Sequence, residues 1–200
     1  IVEILTALYF KILNISPERC DNEKRDRFIL SKGHACSALY ATLALRGFFK
    51  PCLLDGYCMD GGALPGHATK GCVLGVEVSS GSLGHGLSMG VGMAIAAKYD
   101  TRKYRVFVLL GDGECDEGSV WEAAMFAGNK KLDNLVAIVD YNKIQSFGRV
   151  EDVNNLEPFV DKWRSFKWEA KEVDGHNVEK LIQSLTRLPF RKGRPSVLIA

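Results

Sequence analysis

Two hundred residues with 46% apolar and 25% charged side chains have the make-up of a globular domain, which excludes a disordered, collagen-like or coiled-coil chain. A chain of that length buries roughly 70% of the surface its unfolded form exposes, enough for a real core. The 26 basic and 24 acidic side chains leave a net charge of +2, so no strong field for nucleic acid is expected, and short basic clusters such as Arg102, Lys103 and Arg105 read as solvated faces.

Residues 1–14 read as the tail of a helix, with Ile1, Leu5, Leu8 and Ile12 on one stripe. The pattern is already running at the first residue, so the chain is expected to be cut at its N-terminus. Ser16-Pro17 stops it. Phe28-Ile29-Leu30 is a short apolar run, and Ser31-Lys32-Gly33-His34 leads into a helix through Leu45 that Gly47 closes. Residues 48–82 form a long stretch rich in Gly, Cys and Ser, with one candidate strand at Val73–Val78; so long a loop in a compact domain is usually functional or lies against a partner. A helix is predicted over 84–99, a strand at Arg105–Leu110, a helix at Ser119–Lys130 and a strand at Leu135–Asp140. Val153–Lys162 is mixed, and Trp168–Val173, Val178–Leu188 and Ser196–Ile199 read as strand, helix and strand. Strands without polar alternation, separated by helices, predict an α/β fold: an open, mostly parallel sheet with helices on both faces.

Gly86, Gly90 and Ala94 share one face of the 84–99 helix. Each helical Gly costs about 1 kcal/mol relative to Ala, and the stripe predicts close approach of another helix at a subunit or domain interface. The longest small and apolar stretch, Gly86 to Ala97, is too short to span a bilayer. Cys20, Cys36, Cys52, Cys58, Cys72 and Cys115 form no C-x-x-C pair and no metal-ligand rhythm, so reduced thiols and a cytoplasmic location are expected.

Ligands of open parallel sheets bind off the carboxyl ends of the strands. Gly111-Asp112-Gly113 follows one predicted strand directly, and Tyr141-Asn142-Lys143-Ile144 follows the next. A carboxylate and an amide oxygen then face one crevice, both hard ligands suited to Mg²⁺ or Ca²⁺, with glycines that let backbone approach an anion. Each dipeptide alone is an ordinary turn; together, on consecutive strands, they predict a site. A serine hydrolase is the rival: Gly86-Leu87-Ser88-Met89-Gly90 fits G-x-S-x-G, with Asp140 or Asp174 and then His176 following. That reading needs a strand running straight into Ser88, and it leaves Asp112 and Asn142 idle. A dinucleotide site fails because Asp116 stands where the third glycine of G-x-G-x-x-G belongs.

The runs SKGHACSALYATLALRGFF, PGHATKG, GVEVSSGSLGHGLSMGVGMAIA, GDGECDEGSVWEAAMFAG and YNKIQSFGRVEDV resemble, in family order, the diphosphate-binding domain of transketolase, and more narrowly the N-terminal subunit of its split bacterial and archaeal form. The resemblance covers essentially the whole chain. It implies the thiamine-diphosphate-binding fold, one such domain over residues 1–200 that is truncated at the N-terminus and at the C-terminus, and the cofactors thiamine diphosphate and Mg²⁺, with Ca²⁺ a substitute.

Residue by residue, the resemblance implies that Asp112, the Asn142 side chain and the Ile144 carbonyl hold the metal. Gly113 and His34 lie at the diphosphate, and Gly81 and Leu83 line the aminopyrimidine. His67 and His176 meet the substrate, and Glu117 belongs to a network linking two cofactor sites of a dimer. His85 stands where related sequences commonly have glutamine, and Ala68 where single-chain enzymes usually have proline. A further family histidine falls before Ile1. The implied activity is transfer of a two-carbon glycolaldehyde unit between sugar phosphates. The implied partner is a C-terminal subunit or domain carrying the pyrimidine-binding site, in a dimer of such pairs, with neither nucleic acid nor membrane involved.

Overall fold

The continuous apolar runs condense into one sheet. In the computed structural model, which describes residues 1–200, the strands are β1 (Arg27–Leu30), β2 (Val106–Gly111), β3 (Leu135–Asp140), β4 (Ile144–Gln145), β5 (Gly148–Arg149), β6 (Glu169–Glu172) and β7 (Ser196–Ile199). The main sheet has the order β1-β2-β3-β7-β6 and is parallel throughout. The helices are α1 (Val2–Ala7), α2 (Cys36–Leu45), α3 (His85–Tyr99), α4 (Gly118–Asn129), α5 (Val150–Val153), α6 (Phe159–Ser165) and α7 (Val178–Leu185).

Side chains alternate between the two faces of a strand, so β2 and β3 feed two cores at once. Val106, Val108, Leu110, Ala137 and Val139 pack on the side of α3, α4 and α6. Phe107, Leu109, Val136 and Ile138 pack on the side of α1, α2 and α7. Both faces are covered, which is why these strands show no polar alternation. The chain steps one way along the sheet from β1 to β2 to β3 and back from β6 to β7. With a single crossover hand, that reversal puts α7 on the face opposite α3 and α4.

Val73–Val78 is not a strand. Gly75 has φ +91, a conformation strands do not use, and sits tight beneath Leu43 and Phe48 of the α2 region, while Val76 is buried. The apolar alternation there records packing of an irregular loop. Residues 48–82 form an excursion outside the sheet, with a 3-10 turn at Pro51–Gly56 and a lone bridge between Tyr57 and Leu64. It is pinned by the Tyr40 hydroxyl donating to the His67 carbonyl at 3.1 Å, the Cys36 thiol donating to the Gly66 carbonyl at 2.8 Å and the Ser80 N–H donating to the Ala68 carbonyl at 2.8 Å.

The glycine stripe of α3 also has a different partner from the one expected. A Cβ on Gly86 would collide with Ser31 Oγ, and one on Gly90 would stand 2.5 Å from Val108 Cγ2. The close approach is to this chain's own β1 end and β2, and no second helix is involved at these positions. The short hairpin β4–β5 and helix α6 carry no separate signal in the sequence. All six cysteines are free thiols, and no helix is long and apolar enough to cross a membrane.

Candidate functional site

The loops that leave β1, β2 and β3 meet at the carboxyl edge of the sheet around a cavity of about 450 Å³. His34, Leu83, Asp112, Gly113, Glu117 and Ile144 line it, joined by Lys32, Glu114, Asp116, Gln145 and Phe147. Asp112 lies at its base, 3% exposed. Its Oδ1 accepts from the Gly113 N–H at 2.7 Å and its Oδ2 from the Lys143 N–H at 2.8 Å. Burial pushes the Asp112 carboxyl above its usual range, against the pull of those two N–H groups and of the Lys32 charge. Two ionised oxygens offer about four acceptor sites, so capacity for a cation remains. Asn142 sits beyond β3, where its Oδ1 accepts from the Ile144 N–H at 2.9 Å. That turn holds the Asn142 oxygen and the Ile144 backbone in one short loop, which the Lys143 N–H ties to Asp112.

A second group of expected residues gathers at the excursion. The rings of His34 and His67 lie 5.3 Å apart, edge to face. Gly33 and Gly81 make this possible: a Cβ on Gly33 would come 2.9 Å from Gly81 Cα, and Gly81 itself has φ +147 with His67 Cδ2 3.0 Å from where its Cβ would be. Three segments distant in sequence are thus pressed together by two absent side chains. Glu117 packs its Cβ 2.7 Å from the position a Gly84 Cβ would take, beside Leu83. His176 is set apart from His34 and His67. It lines a neighbouring cavity of about 390 Å³ with Asp140, Tyr141, Asn142, Gly175 and Ala200, and its Nδ1 lies 3.1 Å from Glu3 Oε1. Asn142 faces that cavity and does not line the first.

Sequence reasoning missed two residues. Glu114, one acid of the run GDGECDEG, is 2% exposed. It accepts from the Gly84 N–H at 2.9 Å, from the Gly111 N–H at 3.2 Å and from the Ser31 hydroxyl. Burial raises its pKa while these donors lower it, and it fastens the ends of β1 and β2 to the start of α3. Lys32 crosses from β1 to pair with Asp140 of β3, Nζ to Oδ2 2.5 Å. Its position beside the Gly33-His34 step was the available signal. No three His, Cys, Asp or Glu side chains surround a common metal position. Ser88 is an exposed residue inside α3, and no strand leads into it, so the geometry of a nucleophile elbow is absent.

A parallel sheet with a buried carboxylate and a glycine-lined cavity at its carboxyl edge has the architecture of an α/β protein that receives its ligand there. The comparisons make this specific. Residues 1–200 match the family described as "Transketolase, thiamine diphosphate binding domain". The chain is 44% identical over 199 residues to a 6-deoxy-6-sulfo-D-fructose transketolase subunit of Clostridium sp., covering 100% of this chain and 72% of that protein. It is 46% identical over 199 residues to one subunit of the apulose-4-phosphate transketolase of Phocaeicola vulgatus, covering 100% and 70%. Transketolase from Leishmania mexicana superposes with a TM-score of 0.91 at 29% identity, over 98% of this chain and 31% of that one. The chain therefore spans about a third of that single-chain enzyme's length. It belongs to the transketolase family, as the N-terminal, thiamine-diphosphate-binding part of a transketolase-type transferase.

Proposed function

We propose that this chain is the diphosphate-binding half of a transketolase that moves a two-carbon glycolaldehyde unit from a ketose phosphate to an aldose phosphate. The carrying observation is the buried Asp112 carboxylate, with unused acceptor capacity, at the base of the glycine-lined cavity that His34 borders. Asp112, Asn142 Oδ1 and the Ile144 carbonyl would hold Mg²⁺, with Ca²⁺ a substitute; the all-oxygen donor set suits either ion. Bound thiamine diphosphate supplies the carbanion chemistry that breaks and remakes the carbon–carbon bond.

The chain's own residues bind and orient. Gly113 and His34 would hold the diphosphate, and Gly81 and Leu83 the aminopyrimidine; a Cβ on Gly81 would stand 3.0 Å from His67 Cδ2. His67 and His176 hydrogen-bond to sugar hydroxyls and exchange protons with them, work suited to imidazole near neutral pH. Glu117, which lines the cavity, would belong to a network linking the two cofactor sites of a dimer. The pyrimidine-binding half comes from a partner subunit or domain in a dimer of such pairs, and we place the enzyme in the cytoplasm. The two bacterial relatives are named for different ketoses, one bearing a sulfonate and the other a phosphate, at nearly equal identity to this chain, so their names do not choose the donor's anionic group.

The test is two-carbon transfer from xylulose 5-phosphate to ribose 5-phosphate by the full-length chain co-expressed with its partner half. Sedoheptulose 7-phosphate should form only with thiamine diphosphate and Mg²⁺, not with this chain alone, and not with Asp112→Ala. Turnover by the isolated chain, or full activity of Asp112→Ala, would overturn the assignment. Mg²⁺-dependent cofactor binding without this product would retain the site and exclude these sugars.

A further inference from the structure

Lys32 lines the cavity that holds Asp112. It follows β1, and its stem runs over the carboxyl end of β2, where Lys32 Cβ and Cε lie 3.7 Å from the position of a Gly111 Cβ. Beyond Gly111 its ammonium reaches Asp140 on β3, with the two side chains only 18% and 11% exposed. One side chain thus spans three parallel strands directly beside Asp112. The cavity that Asp112 and Gly113 line also contains Asp116 and Glu117, whose carboxylates repel an incoming anion. Asp116 is occupied by the Gln145 and Asn154 amides, which donate hydrogen bonds but bring no charge. Lys32 is the only Lys or Arg lining this cavity. An ammonium carries three donors, and the structure uses one of them, to Asp140.

We propose that Lys32 is a binding residue for the diphosphate: its ammonium supplies the fixed positive charge of the cavity, and Asp140 sets its position. This rests on the reading of the cavity as the thiamine diphosphate site. The charge would add to that of a metal held at Asp112, so that the flanking carboxylates are offset. Asp140 keeps the flexible lysine stem from folding out to solvent, which lowers the entropy lost when the ligand arrives.

The test titrates thiamine diphosphate and, separately, magnesium pyrophosphate into the assembled full-length enzyme by calorimetry, at low and high salt, with cofactor-free melting temperatures recorded alongside. Lys32→Met should weaken both ligands by about tenfold to a hundredfold, the range for a lost hydrogen bond to a charged group, and flatten the salt dependence of binding. Lys32→Arg should recover most of the affinity. Because Lys32→Met leaves Asp140 unpartnered, Lys32→Met/Asp140→Asn separates the two roles: it should restore the cofactor-free melting temperature and leave affinity weak. Unchanged affinity in Lys32→Met, or affinity restored by the double variant, overturns the proposal and leaves Lys32 a structural cross-link. A folded wild-type enzyme that binds neither ligand overturns the reading of the site itself, and this inference with it.

Discussion

A methyl group at position 33 would lie 2.9 Å from both Cα and N of Gly81 and 3.1 Å from the His67 ring. Neither Gly81 atom can yield without moving the backbone that lines the cavity. Gly33→Ala is therefore expected to fold with a loss of about 1–3 kcal/mol, as overpacking does. Thiamine diphosphate affinity should fall by at least about tenfold, because small displacements of positioning groups are costly. Chemical denaturation and calorimetric titration read the two effects separately, and wild-type affinity in this variant would show that the glycine contact does not set the loop. Asp112 and Glu114 illustrate how similar residues diverge at this scale. Both are buried acids two positions apart, yet Glu114 takes hydrogen bonds from three different segments, whereas Asp112 takes only two backbone N–H groups and keeps acceptor capacity facing the cavity.

Elements are joined at the other edge of the sheet by Asp133, in the turn before β3. Its Oδ1 takes a hydrogen bond from Lys98 of α3 at 2.6 Å, and its Oδ2 one from the Gly193 N–H, ahead of β7, at 2.9 Å. Burial alone would push this carboxyl up, but the Lys98 and Gly193 donors outweigh it and hold it below its ordinary value. A depressed pKa stabilises above the unfolded value of about 3.9, and the contribution is lost as pH falls through the lower folded value. Asp133→Ala should cost about 1 kcal/mol near neutral pH, a modest figure because solvent screens the exposed Lys98 end. The gap between variant and wild type in urea unfolding should close as the pH is taken below about 4; a gap that persists would assign the effect to packing. The same scale shows what could be read in advance. β2, β3 and β7 were legible because burial on both faces leaves runs of mostly apolar residues. The hairpin β4–β5 was not, since two residues per strand carry no period, and Val73–Val78 misled because burial under α2 imitates the pattern of a strand.

For the whole molecule, motifs local in sequence were legible: Gly111-Asp112-Gly113, Asn142 and Gly33-His34 all come to the carboxyl edge, each just beyond the end of its strand. Contacts that depend on which strands are neighbours were not. Lys32 with Asp140, and Glu114 with Ser31 and Gly84, join residues whose proximity exists only once β1, β2 and β3 lie side by side. The glycine stripe of α3 was legible as a close contact and misread as to partner, because a sequence shows that space is needed and not what fills it. The excursion over residues 48–82 brings His67 beside His34, yet none of its residues belongs to the main sheet, and hydrogen bonds from Cys36 and Tyr40 of α2 fasten it to its surroundings. On the proposed function, the part of the excursion that carries His67 meets the sugar while Gly33, Gly81 and Asp112 keep the cofactor, so residues 49–78 could be exchanged between lineages as a cassette without disturbing the cofactor's cradle. A chimera carrying residues 49–78 of a relative with another donor, its histidine retained, should bind thiamine diphosphate as the parent does while its ranking of donor sugars by kcat/KM shifts by about tenfold. An unaltered ranking would mean that preference is inherited through the partner half instead.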